Sequence, residues 1–205
     1  IHSFFQLPLH PFIPGAKIES KFAFSKEKGS IIRTIDVLVI DEISMVRCDL
    51  LEAIDSVLRR FRNKYKPFGG VQLLMIGDAQ QLSPVVKEDE RHYMSQVYPS
   101  PYFFHSKALR QLSYVTIELQ KVHRQKDEDF LEILNAVREN RMTPQLLNKL
   151  NQRVGAEPRQ MEDGTEPIRL PTHNARADEV NARKLSQLPD ESVTFTANVD
   201  GDFPE

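Results

Sequence analysis

Asp41 and Glu42 end the run Ile35–Ile40 (IDVLVI). The run is mostly apolar and rich in β-branched residues. That pattern predicts a strand buried on both faces of a parallel sheet. Open α/β sheets bind ligands outside the carboxyl ends of their strands, which is where the two carboxylates fall. Nucleotide hydrolysis uses such a pair. One carboxylate holds the hydrated Mg²⁺ that bridges the β- and γ-phosphates, and the other orients or deprotonates the attacking water. A buried strand followed by a solvated acidic loop fits the same residues.

A second apolar run, Val71–Ile76, leads into Gly77 and Asp78, then Gln80, Gln81 and Pro84. Gly77 permits a tight turn or a close backbone approach. If the two strands are neighbours, their ends converge on one crevice. The amide of Gln80 or Gln81 could donate to a γ-phosphate oxygen or hold the water in line; a polar strand-to-loop turn is the alternative for either. Arg124 follows a third predicted strand, Tyr114–Leu119. A guanidinium there could neutralise charge developing on the γ-phosphate, or it could pair with Asp127 or Glu128 at a helix start.

DEISMV (Asp41–Val46) followed by GDAQQLSPV (Gly77–Val85) resembles motifs II and III of the PIF-type (petite integration frequency) DNA helicases, relatives of the RecD helicases. The opening IHSFFQLPLHPFIPG resembles the segment of that family that begins TIHS. SPYFFHSKAL with VTIELQKVHRQKDEDFLEILNAVREN resembles its motif IV region, and IRLPTHNARADEVNARKL the start of its second motor domain. Ser83 stands where the family often has Pro, which leaves Gln81 aligned.

The resemblance implies an ATP-dependent helicase moving 5′-to-3′ on single-stranded DNA in repair, recombination or telomere maintenance. Its fold would be a RecA-like parallel sheet flanked by helices, with the start of a second RecA-like domain. Glu42, Gln81 and Arg124 would be catalytic. Asp41, Asp78, Gln81 and Arg124 would bind ATP, with Asp41 holding Mg²⁺ through water. His2 and Ser3 would lie beside the DNA strand, where a ring can stack on a base and a hydroxyl can bond a phosphate; a packed His and a helix-capping Ser fit the same residues. The implied partners are single-stranded DNA and duplex junctions, met by a monomer. The implied location is the nucleoid in a bacterium, the nucleus or mitochondrion in a eukaryote. A DNA-stimulated ATPase switch that does not unwind, or a degenerate interaction domain, would preserve many of the same residues.

No Gly in the chain is followed by Lys, so G-x-x-x-x-G-K-S/T, the phosphate-cradling loop, does not occur. With Ile1 inside a family-like motif, the expectation is an internal fragment of a longer helicase. By itself it is expected to bind ATP weakly and hydrolyse none.

Composition bounds the remaining classes. A net charge of −2 gives no global pull toward nucleic acid, so a DNA site must be a local groove. One cysteine, Cys48, excludes a disulfide framework. It is expected to pack as a small apolar residue or sit exposed at a helix start. His92, His105, His123 and His173 show no metal-ligand spacing, and no apolar run is long enough to span a membrane.

The predicted elements alternate. Residues 1–20 read as a loop. A short helix before Thr34 leads to strand Asp36–Ile40, a helix from Asp49 to Asn63 and strand Val71–Ile76. Asp49 and Glu52 form an N-cap pattern, and the basic run Arg59–Lys66 a solvated helix face. Past the third strand, a helix Glu128–Asn140 should face Phe130, Leu131, Leu134 and Val137 inward, and another starts at Thr143–Pro144. The first domain is expected over residues 1–155 and a linker over 156–166. A β-α-β start to the second domain covers 167–205: strand Ile168–Pro171, helix Asn174–Leu188 and strand Ser192–Ala197.

Overall fold

A computed structural model describes residues 1–7, 10–12, 24–156, 167–191 and 193–198. The chain forms two compact units, Ile1–Glu139 and Asn140–Glu205. The first contains α1 (His2–Phe5), α2 (Lys26–Thr34), β1 (Val37–Ile40), α3 (Cys48–Phe61), β2 (Gln72–Met75), α4 (Glu88–Val97) and α5 (Glu128–Arg138). The second contains α6 (Pro144–Asn151) and α7 (Asn174–Leu185).

β1 and β2 pair in parallel, Val37 opposite Gln72 through Ile40 opposite Met75. Parallel neighbours need a crossover, usually a helix, and α3 supplies it. Its Leu51, Ile54, Val57 and Leu58 recur at helical spacing and are fully buried, with Ile32, Ile40, Ile43, Phe68 and Leu109. Cys48 packs at its start, donating to the carbonyl of Ser100 at 3.4 Å. Burial pushes its thiol up to about 12.

The polar side of α3 corrects the capping expectation. The N-cap is Arg47, and neither Asp49 nor Glu52 caps the helix. Asp49, Glu52 and Asp55 are buried and serve loops instead. Asp49 accepts from the Phe12 N–H at 3.0 Å and is gripped by the Arg47 guanidinium at 2.7 and 2.9 Å. Arg47 also donates to Glu90 of α4 at 2.7 Å. Glu52 accepts from the Ser106 hydroxyl at 2.7 Å and the Ala108 N–H at 2.9 Å. Asp55 accepts from the Phe68 N–H and from Arg59. The buried helix start has other acceptors, the Cys48 N–H donating to the Pro101 carbonyl at 2.8 Å, so the carboxylates are left for buried loop N–H groups. Arg59 also reaches Gln111, and Arg62 donates to the Arg33 carbonyl, so part of the basic run is held by hydrogen bonds at the surface.

Glu52→Ala strands the Ser106 hydroxyl and Ala108 N–H in the interior and should cost about 2–4 kcal/mol in urea unfolding, whereas Glu52→Gln, which keeps an acceptor oxygen, should cost under half as much. Equal losses for the two variants would mean that charge, and not the acceptor, holds this loop.

Several expected elements differ. Residues 2–5 form the short helix α1, not loop. β1 is not buried on both faces: Val37 and Val39 on β1, like Leu74 and Ile76 beside them, stay about half exposed. Residues 114–119 form no strand, and Val115, Ile117 and Leu119 are exposed. Their alternation suits a strand, but a strand exists only by pairing, and among the described residues the sheet has two strands. Residues 168–171 and 193–197 likewise form no ladder; Ser192 lies outside the described residues. On α5 the buried positions are Ile133 and Ala136, while Phe130, Leu134 and Val137 are exposed. That helix carries two apolar arcs, and packing selects the smaller one.

Candidate nucleotide site

Because β1 and β2 are parallel neighbours, their carboxyl ends share one edge. Beyond Ile40, Asp41 Oδ1 accepts the Glu42 N–H at 2.9 Å. Glu42 adopts φ 51° and ψ 45°, a left-handed conformation uncommon outside glycine, and starts a 3₁₀ turn over Ile43–Met45. Both carboxylates are exposed. The Ile43 N–H donates to the carbonyl of Ile76 at 2.9 Å, tying the first loop to the end of β2. The next residue, Gly77, makes that contact possible. A Cβ there would lie 2.9 Å from Ile43 N and 3.1 Å from Ile43 Cγ2. The close approach expected of Gly77 is therefore between the two strand-end loops.

Gly77→Ala should force those loops apart and cost about 1–3 kcal/mol, the usual range for overpacking. Melting unchanged to within about 1 °C would show that the loops separate freely.

Asp78 organises the second loop. Its Oδ1 accepts from the Gln80 N–H at 3.0 Å, and its Oδ2 from the Gln81 side-chain amide at 3.3 Å. The Gln81 N–H donates to the Asp78 carbonyl at 3.0 Å. This is the short-range turn chemistry of Asp, and it fixes the Gln81 side chain against the acid. Arg138, in the last turn of α5, donates from Nε to Gln80 Oε1 at 2.6 Å. Sequence reasoning missed Arg138, its contact with Gln80 and the Arg47–Glu90 pair. A contact between residues 58 positions apart leaves no local pattern to read.

Arg124 is exposed. Among the described residues it forms no ion pair or side-chain hydrogen bond with Asp41, Asp78, Gln81, Asp127 or Glu128. Asp127 is engaged instead as the cap of α5, accepting the Phe130 N–H at 3.1 Å. The helix-start pairing is thus not formed, and Arg124 is not drawn into the strand-end cluster.

His2 and Ser3 sit on α1. Burial, the N-terminal ammonium and Arg47 hold the His2 pKa below its usual value, against the opposing pull of Asp49. The Ser3 carbonyl accepts from Lys28 Nζ at 2.7 Å. Ser3 is thus tied to α2, while His2 feels the charges at the start of α3. Among the described residues, no group of three His, Cys, Asp or Glu side chains could hold a metal ion by itself, and no helix is long and apolar enough to cross a membrane.

Two parallel strands ending in Asp-Glu and Gly-Asp, joined by a crossover helix, define an α/β chain of the RecA-like class. Residues 1–147 match the sequence profile of the PIF1-like helicases, and the chain belongs to that family. It is 40% identical to the human ATP-dependent DNA helicase PIF1 over 164 residues, which cover 78% of this chain and 23% of the human protein. It is similar to the crystal structure of a Pif1 helicase from Bacteroides in complex with ADP-AlF3 and single-stranded DNA. The TM-score is 0.83 at 35% identity, covering 93% of this chain and 44% of that one. A structure described as forked-duplex unwinding by two coordinating Pif1 helicases gives a TM-score of 0.78 at 36% identity, over 90% of this chain and 43% of the other. The chain thus spans about a quarter of the length of the human relative.

Proposed function

We propose that the full-length protein is an ATP-dependent DNA helicase that moves 5′-to-3′ along single-stranded DNA, and that this chain carries the hydrolysis end of its first motor domain. The observation that carries this reading is the Ile43–Ile76 hydrogen bond over Gly77, which holds the Asp41-Glu42 loop against the Asp78–Gln81 loop.

Asp41 fits a Mg²⁺ held through water. Its Oδ1 is committed to the Glu42 N–H, and among the described residues its other oxygen accepts no hydrogen bond. Mg²⁺ keeps most of its waters and phosphate oxygens and needs one or two carboxylates. When bound, the ion would neutralise phosphate charge. Glu42, which is exposed, takes the proton from the attacking water. Gln81, steadied by Asp78, senses the γ-phosphate. Arg124 has no competing partner and approaches the γ-phosphate on domain closure.

In the same reading the first domain covers 1–155 and the second begins at 167, with 156–166 between them. His2 and Ser3 contact single-stranded DNA, the nucleic acid present in the Bacteroides relative's complex. The protein works as one copy on a strand or duplex junction, wherever the cell keeps its DNA. The test is ATPase and unwinding by the full-length protein on a 5′-tailed duplex. ATPase stimulated by DNA, with strand separation, is expected. Stimulated ATPase without separation would make it a switch, and no ATPase a binding domain. Sedimentation on a tailed duplex reads the copy number directly.

A further inference from the structure

We infer that Arg138 is a positioning residue that holds the Gln80–Gln81 turn in register and ties it, through α5, to the segment carrying Arg124. The inference rests on the functional reading above, which makes Gln81 a γ-phosphate sensor. The geometry is specific. Arg138 Nε donates to Gln80 Oε1 at 2.6 Å and lies 3.6 Å from Asp78 Oδ2. That same Asp78 oxygen accepts from the Gln81 amide at 3.3 Å. One guanidinium therefore fixes the residue before Gln81 and also places its positive charge on the acid that orients Gln81. Both contacts come from the one Nε, so Arg138 acts here as a single donor to Gln80 with its charge set beside Asp78.

The other end of the same helix matters equally. α5 runs from its Asp127 cap to Arg138, and Arg124 lies three residues before that cap. An eleven-residue helix spans about 16 Å as one rigid rod. Movement of the Arg124 segment is therefore felt at the Gln80–Gln81 turn through Arg138. Gln80 is the second partner in this device, a side chain that touches no phosphate in the proposed mechanism but anchors the rod.

In the full-length protein, Arg138→Ala should lower the DNA-stimulated kcat about tenfold, as expected for a residue acting through others, with the KM for ATP held within about twofold. Arg138→Lys should recover part of the loss. Gln80→Leu should reproduce it, and the double variant should be no worse than either single one. A KM rise with kcat intact, additive single effects, or kcat within about twofold of wild type would overturn the assignment. Amide hydrogen exchange of the segment 78–86 in the same variants separates this inference from the functional reading. Arg138→Ala should speed exchange there even if the wild-type protein proves to have no ATPase. Unchanged exchange would overturn the positioning role whatever the activity.

Discussion

Glu42→Gln in the full-length protein should reduce steady-state ATP hydrolysis by about 10³-fold or more, near the upper range for loss of a general base. Nucleotide affinity should stay within about threefold of wild type, because the amide keeps the size of the side chain and so disturbs the site little. Glu42 sits in a left-handed conformation fixed by the Asp41 carboxylate and by the Ile43–Ile76 bond. None of these contacts uses the Glu42 carboxylate, so the substitution removes chemistry without removing structure. Asp41→Ala is the contrasting variant. It removes the carboxylate proposed to hold Mg²⁺ through water and also the acceptor for the Glu42 N–H, so binding of the Mg²⁺–nucleotide itself should weaken. Fluorescent-nucleotide titration and phosphate release measure the two effects separately. Hydrolysis within about tenfold of wild type for Glu42→Gln would leave less than a general base is ordinarily worth and would move the base elsewhere.

The strand ends were legible because each is an apolar run halted abruptly by an acid, and the break from apolar to charged is a local signal. Gly77 was legible for a similar reason: a glycine at a strand end marks either a turn or a close approach, and the structure selects the approach. Other readings failed where a local pattern had two outcomes. Asp49 and Glu52 match a capping pattern, yet the N–H groups of Phe12 and Ala108 lie close enough in the fold to claim them. Residues 114–119 alternate as a strand does, but alternation supplies only the face, and the ladder needs a neighbour. On α5 the larger side chains Phe130, Leu131, Leu134 and Val137 suggest the inward arc, whereas Ile133 and Ala136 are the residues buried. Arg138 was illegible for a different reason. A basic residue in the last turn of a helix is ordinary, and its partner Gln80 is set by the fold and not by spacing.

Arg124→Ala should lower ATP hydrolysis in the full-length protein by about 10³-fold, the lower part of the range for an arginine finger, with only a modest change in affinity for single-stranded DNA. An arginine that acts only when a cleft closes must be uncommitted when it is open, and Arg124 is exposed and makes no ion pair with its acidic neighbours among the described residues. Asp127, the nearest competitor, is occupied by the Phe130 N–H. The guanidinium is thus not committed at the helix start, as the proposed finger role requires. If Arg124 served only to pair with Asp127, Asp127→Asn would mimic Arg124→Ala. As a finger it should not, because Asn still caps α5 and leaves the guanidinium unchanged. Arg124→Lys should recover little, since an ammonium cannot match the planar fork that meets phosphate oxygens. The decisive comparison is single-turnover hydrolysis of Arg124→Ala and Asp127→Asn side by side. Near-wild-type rates for Arg124→Ala, or equal losses for both variants, would return Arg124 to the helix start and leave the γ-phosphate charge to be met from elsewhere in the protein.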